Sequence, residues 1–222
     1  MTTLQTLKKE WYIFLIALAP FIASGVLWNE VPDTVPVHYN FQGEPDRYGY
    51  KGELLLLVPG ISFGVYLLLL FVPAIDPKKK IETNQKAIRA VRVITVIFMD
   101  AVYVVTLALA MGYELDLSMY IMISVGALFF ILGNYMNSIK PNYFIGLRTP
   151  WTLENPEVWK RTHRLGSKLW MIGGIVIMAS PFIDTSKQLG ISLSMIIIIP
   201  LALIPLIYSY VIYNQLQKAE HE

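Results

Sequence analysis

The sequence predicts an all-α integral membrane protein: a six-transmembrane-helix bundle with both termini cytoplasmic, one ordered outer loop and one amphipathic inner-loop helix. Three observations predict it. Only 15% of the 222 residues are charged and 55% are hydrophobic, whereas a soluble domain carries about 25% charge to cover its core. Six apolar runs, at 11–28, 54–73, 91–112, 118–139, 169–183 and 191–213, punctuate the chain. Five of them reach the roughly 20 residues that cross a bilayer, and the fifth run borrows from its flank, with Lys168 snorkelling to the interface. Third, the cations are sorted. With both termini inside, 15 of the 18 Lys and Arg fall on inner segments and only Arg47, Lys51 and Lys187 outside, a strong positive-inside pattern. The acids lean outward, so the outer segments sum to −5 and the inner to +8.

Taken in order, the first run follows Lys8 and Lys9 and contains Ala17-Leu18-Ala19, the small-residue spacing of a signal-peptide cleavage site. Pro20 at the cut and the continuing apolar run favour an uncleaved first span instead. Gly60 and Gly64 in the second run permit close helix contact. The third run holds Asp100, an acid near its middle, and the fourth holds Asn134 about one turn nearer the cytoplasm, where it could donate to that carboxyl. Tyr103 and Thr106 are other candidate partners. An intramembrane acid is either a helix-linking group or a proton or cation site in a carrier. The last run contains Pro200 and Pro205, which disturb the carbonyls of Ile196 and Leu201. Trp11, Tyr12, Tyr135, Trp170, Tyr208, Tyr210 and Tyr213 fall near inner boundaries, and Trp28, Tyr113 and Tyr120 near outer ones, as aromatic belts do.

Two polar linkers are too long to be bare connectors. In the outer one, Val37, Tyr39 and Phe41 alternate with His38, Asn40 and Gln42, a strand pattern of period 2, and Gly43, Pro45 and Gly49 mark turns. It reads as a plug on the bundle or as a recognition surface. In the inner one, Asn155 is placed to cap a helix beginning at Pro156. Val158, Trp159, Thr162 and Leu165 form its less polar face, and Lys160, Arg164 and Lys168 a basic stripe. That stripe suits anionic headgroups or an acidic cytoplasmic partner.

The composition excludes disorder, a nucleic-acid-binding tail and a disulfide scaffold. Without cysteine there is no thiolate nucleophile and no Cys-ligated metal. His38 and His163 fall on opposite sides of a hydrocarbon layer of about 30 Å and cannot share a metal, and His221 stands in the C-terminal tail. We therefore expect no enzyme, no cofactor and no direct nucleic-acid partner.

The outer string Pro36-Val37-His38-Tyr39-Asn40 with Gly43-Glu44-Pro45-Asp46-Arg47 and Lys51 resembles the N-terminal domain of SdpI-type immunity proteins. Gly133-Asn134, the stretch Lys140-Pro141-Asn142-Tyr143-Phe144-Ile145-Gly146-Leu147-Arg148-Thr149-Pro150-Trp151-Thr152-Leu153, and then Trp159 and Thr162-His163-Arg164 resemble the same family's C-terminal signature. The resemblance implies a bacterial multi-pass cell-membrane protein that confers immunity to a secreted toxic peptide. It further implies a signalling role in which the peptide-bound protein holds a transcriptional repressor at the membrane. On this reading His38, Asn40, Asp46, Arg47 and Lys51 meet the peptide. Asn142, Arg148, Trp151, Trp159, His163 and Arg164 serve a cytoplasmic partner or the integrity of the bundle. The chain divides into a two-helix unit with the outer loop, 1–75, and a four-helix unit with the inner signature, 76–222. The alternative, from another class, is a small proton- or cation-coupled carrier using Asp100.

Overall fold

The computed structural model describes residues 3–40, 43–76, 83–183 and 187–220, with backbone alone for 183, 187–195 and 220. Phe41 and Gln42 of the loop pattern, Lys78, Lys79 and Lys80 of the inner charge cluster, Asp184 and His221 lie outside the described residues, as does the Lys187 side chain. The chain is mostly helical. Helices α1 (Thr3–Lys9) and α2 (Trp11–Leu27) meet at a 79° bend. A hairpin, β1 (Thr34–Tyr39) and β2 (Pro45–Tyr50), leads into a π-helical turn at Glu53–Leu57 and α3 (Val58–Ile75). Then come α4 (Gln85–Ala110), α5 (Leu117–Met136), α6 (Pro150–Glu154), α7 (Pro156–Ile183) and α8 (Lys187–Glu220).

Five helices are long and apolar enough to cross a membrane, and the bent α1–α2 pair makes up to six. Helix α2 has 17 residues, about 25 Å at 1.5 Å per residue, which is short of a hydrocarbon layer by itself. Large apolar side chains line the outside as well as the core: Ile22, Val26, Leu68, Val104, Ile172 and Ile207 are all at least 60% exposed. Such a surface needs an apolar solvent.

The bend between α1 and α2 falls at Glu10, which is buried. Its carboxylate faces two α4 cations, Arg92 Nη2 at 3.5 Å and Arg89 Nε at 3.8 Å, and Arg89 also donates to the Tyr12 hydroxyl. Arg92 is 2% exposed. A buried guanidinium requires an anion, so the chain turns where Glu10 can supply one.

Two departures from the expected all-helical bundle concern the polar linkers. The outer one is a two-stranded antiparallel hairpin, not a single strand in a loop. Thr34 pairs with Tyr50 and Tyr39 with Pro45, with the register shifting on either side of His38. The second strand is nearly all exposed and shows no apolar alternation. It is held by backbone bonds, so periodicity does not reveal it. The inner amphipathic helix and the fifth span are one continuous helix, α7, of 28 residues, since nothing between 156 and 183 interrupts helical hydrogen bonding until Pro181. The Asn155 cap is as expected: its Oδ1 accepts from the Glu157 and Val158 amides at 2.8 and 3.2 Å. A short α6 precedes it, with a reciprocal Thr149–Thr152 capping box.

The glycines that bring helices together are not the expected ones. A Cβ on Gly60 or Gly64 would meet nothing within 4 Å, because that face of α3 looks away from the bundle. On α5 and α7, a Cβ on Gly126 would lie 2.6 Å from Gly174 O, one on Gly174 2.6 Å from Gly126 O, and one on Gly133 2.9 Å from the Met171 amide. These two helices touch backbone to backbone. Gly174→Ala should therefore destabilise the protein by about 1–3 kcal/mol, while Gly60→Ala should change stability by less than about 0.5 kcal/mol. Thermal unfolding in detergent measures both.

Candidate functional site

Two polar structures and one intramembrane acid carry the candidate chemistry. The hairpin begins on a firm base. Val31 and Val35 are buried against Leu54, Leu55, Tyr103 and Leu107. Lys51 is also buried: its Nζ donates to Trp28 O at 2.9 Å and Val31 O at 3.4 Å, pairs with Asp33 Oδ1 at 2.9 Å, and lies 5.4 Å from the Trp28 ring centre. Lys51 thus ties the end of the hairpin to the end of α2 and is turned away from the exposed face. Asn40 shapes the tip, where its Oδ1 accepts from the Glu44 amide at 2.9 Å. Gly43 adopts φ +78°, and a Cβ there would lie 2.6 Å from Ser118 Oγ at the start of α5. Both the backbone angle and the contact require glycine.

The remaining expected outer residues are exposed and form two separate pairs. His38 Nδ1 meets Asp46 Oδ1 at 2.5 Å, and Arg47 Nη1 donates to Glu53 Oε2 at 3.3 Å. All four side chains are well exposed. On the same strand as Asp46 and Arg47, Tyr48 and Tyr50 are 59% and 57% exposed. Nothing in the sequence singles them out, since the strand carries no burial alternation. Tyr39 is partly buried near Tyr48. Burial, and then the neighbouring Tyr48, raises its phenol above the ordinary value, so it adds no charge to this surface.

The inner cap is built from the second motif. Asn142 is buried and folds the loop around itself: its Oδ1 accepts from the Phe144 and Ile145 amides at 2.8 Å each, and its Nδ2 donates to Lys140 O and Ile145 O. Trp159, also buried, donates from Nε1 to Ile139 O at 2.7 Å and stacks on His163 at 4.0 Å. His163 Nε2 accepts from the Leu147 amide at 3.0 Å while Nδ1 bonds Trp159 O at 2.8 Å. One nitrogen must accept and the other donate, which is the neutral Nδ1–H imidazole. Gly146, at φ +104°, passes over this stack, and a Cβ would lie 2.4 Å from His163 Nε2. Trp151 rests on Tyr210 of α8 at 5.0 Å, and Thr149 Oγ1 meets Ser209 Oγ at 3.1 Å. Arg148 and Arg164 are exposed. The cap is pinned to α4 by Asn84, which bonds both the amide and carbonyl of Lys140 at 2.7 and 3.1 Å. Its partner is 56 residues away, and no local pattern announces it.

Asp100 and Asn134 are not brought together. Asn134 is exposed on α5. The partially buried Asp100 accepts instead from Ser62 Oγ on α3 at 3.3 Å, because α3 is the helix packed on that side of α4. Tyr103 and Thr106, the other expected partners, bond elsewhere: Tyr103 to Ser24 and Thr106 to backbone carbonyls of its own helix. Among the described residues no group of three or more His, Cys, Asp and Glu could hold a metal ion.

His163→Phe keeps a ring against Trp159 but leaves the Leu147 amide without its acceptor. The expected cost is about 1–3 kcal/mol, with faster amide exchange at Leu147. Arg148→Ala, at an exposed site, should stay within about 0.5 kcal/mol of the parent. Thermal unfolding and hydrogen exchange distinguish the two.

The comparisons with known proteins fall on these two polar structures. Residues 138–209, the cap with most of α7 and α8, match the SdpI/YfhL protein family. Residues 15–63, which contain the hairpin, match a domain of unknown function, DUF1648. Over 211 residues, 95% of this chain and 98% of the relative, the sequence is 28% identical to "Immunity protein SdpI" of Bacillus subtilis. A 56-residue stretch, 22% of this chain and 31% of the relative, is 38% identical to an uncharacterized protein of Archaeoglobus fulgidus. No solved structure matches. The chain is thus similar to an SdpI immunity protein along 95% of its length, and the stretch that carries its inner cap matches that family's segment.

Proposed function

We propose that this chain is a non-enzymatic immunity protein of the cell membrane that protects against a secreted toxic peptide. The observation that carries the proposal is the alignment with an immunity protein along 95% of the chain, combined with an exposed hairpin face rich in aromatic and charged groups. The bent α1–α2 pair counts as the first of six spans, both termini are cytoplasmic, and the hairpin stands outside. The sorting of 15 cations to inner segments supports this orientation. The units 1–75 and 76–222 then divide the work between an outer sensing face and an inner cap.

His38, Asp46 and Arg47 contact the peptide along the exposed hairpin, with Tyr48 and Tyr50 as aromatic anchors, while Asn40 shapes the tip and Lys51 holds the base. In the cap, Asn142, Trp159 and His163 serve integrity. Arg148, with Tyr143 exposed beside it, offers the surface for a cytoplasmic repressor. Bound peptide would shift the bundle between two states that the repressor distinguishes. A second reading, a proton- or cation-coupled carrier, rests on Asp100 with its Ser62 partner and on the nearby π-helical turn, since such turns concentrate at functional sites.

Expression in a peptide-sensitive strain should raise survival. His38→Ala, Arg47→Ala and Tyr48→Ala combined should lower the protective dose by about tenfold or more at equal membrane abundance, because surface anchors of this kind each contribute over about 1 kcal/mol. Unchanged sensitivity of cells making the parent protein sinks the proposal. Asp100→Asn separates the second reading: retained protection is expected, whereas loss of a pH-dependent flux in vesicles, with normal insertion, would establish the carrier.

A further inference from the structure

On the side of the molecule where α7 meets α8, a groove of about 360 Å³ is lined by Arg161, Arg164, Leu165, Lys168 and Tyr208. Its charge is one-sided. Arg161 bonds Glu157 at 2.8 Å. Among the described residues, no carboxylate pairs with Arg164 or Lys168, and both are exposed. At 100° per residue, Arg161, Arg164, Lys168, Ile172 and Ile175 fall within an arc of about 80° on α7. The cations occupy the N-terminal end of this stripe. Ile172 and Ile175, 62% and 50% exposed, continue it toward the middle of the helix, about 6 and 10 Å beyond Lys168. Across the groove Ile204, 44% exposed, stands one turn below Tyr208.

A site with unpaired cations and a phenol at one end and an exposed apolar lane below has the polarity of a phospholipid. We infer that this groove binds one anionic phospholipid, its phosphate held by Arg164 and Lys168 with Tyr208 beside it, and an acyl chain lying along Ile172 and Ile175. Guanidinium and ammonium donors suit a phosphate oxygen set, and basic pockets between membrane helices on the cytoplasmic side hold acidic headgroups. A soluble phosphoester would use the cations but not the lane. A zwitterionic lipid would use the lane and offer a phosphate, but it would set its own ammonium group against the two cations and leave their net charge uncompensated. The inference rests on the reading that α7 spans the membrane with its N-terminal end at the cytoplasmic surface. The binding experiment is done in micelles and does not read orientation, so it fails or succeeds separately from that reading.

The full chain, purified in a neutral detergent, is titrated with phosphatidylglycerol, with phosphatidylcholine of the same chains, and with glycerol phosphate. Retained lipid is counted by native mass spectrometry, and folding is checked by thermal unfolding. Phosphatidylglycerol should bind saturably, with one copy retained at least about tenfold more strongly than phosphatidylcholine. The double substitution Arg164→Gln with Lys168→Gln should abolish that preference at an unchanged unfolding temperature without lipid. Lys140→Gln with Lys160→Gln removes the same charge elsewhere and should leave the preference intact. Equal retention of the two lipids overturns the inference, as does equal loss in both double variants. Full displacement of phosphatidylglycerol by glycerol phosphate would mark a soluble-phosphoester site and overturns it too.

Discussion

A carbonyl that a proline frees inside an apolar layer depends on the protein for a donor, because the layer offers none. This constraint shapes the bundle at three prolines. Pro59 cannot bond Leu55 O, and that carbonyl accepts instead from Ser24 Oγ on α2 at 2.5 Å, with the Tyr103 hydroxyl of α4 at 2.8 Å from the same Ser24. Pro205 releases Leu201 O, which takes the Trp170 indole of α7 at 3.0 Å. Pro181 releases Ile177 O, which takes Ser180 Oγ at 2.8 Å. Two of these three repairs cross from one helix to another. A local defect in one helix thereby specifies the neighbour and the depth at which it must pack. The π-helical turn ahead of Pro59 belongs to the same repair, since it widens the ladder where the donor is missing.

The polar structures at the two ends depend on that frame in different ways. The hairpin has little core of its own, and an isolated two-stranded hairpin is marginal in water. Val31 and Val35 seat it on the same cluster that contains Leu55 and Tyr103, and Lys51 closes its base on the carbonyls at the end of α2. Its exposed side chains, among them His38, Asp46, Arg47, Tyr48 and Tyr50, are then released from structural duty. The inner cap is self-contained by comparison. Asn142, Trp159 and His163 satisfy the loop's backbone from within, and Asn84 and Ser209 fasten it to α4 and α8. Much of the motif that makes this segment conspicuous is thus occupied in holding the segment's own shape.

Several features were legible in the chain without coordinates. The Asn155–Pro156 helix start, the disturbed carbonyl of Leu201 and the less polar face of Val158, Trp159, Thr162 and Leu165 are local, set by residues within a turn or two of each other. The second strand, the Glu10–Arg92 pair and the Asn84 clamp were not legible. Strand β2 carries no periodic signal, and the other two join residues from different helices. Lys51 shows the limit most plainly. In sequence it is one more cation in a polar loop, and only its surroundings reveal a buried tether.

What the sequence by itself determined is the solvent and the parts list: apolar length, sorted charge, helix caps and breakers, each a property of a residue and its near neighbours. What the tertiary structure decided is which parts touch. Gly60 and Gly64 had the right spacing for a helix contact and face open space, whereas Gly126 and Gly174, on helices separated by the inner loop, meet backbone to backbone. Asp100 had a plausible donor in Asn134 and found Ser62 instead. Helix rotation about its own axis is set by the whole set of packed neighbours, and a spacing of four residues describes a face without saying what it will face.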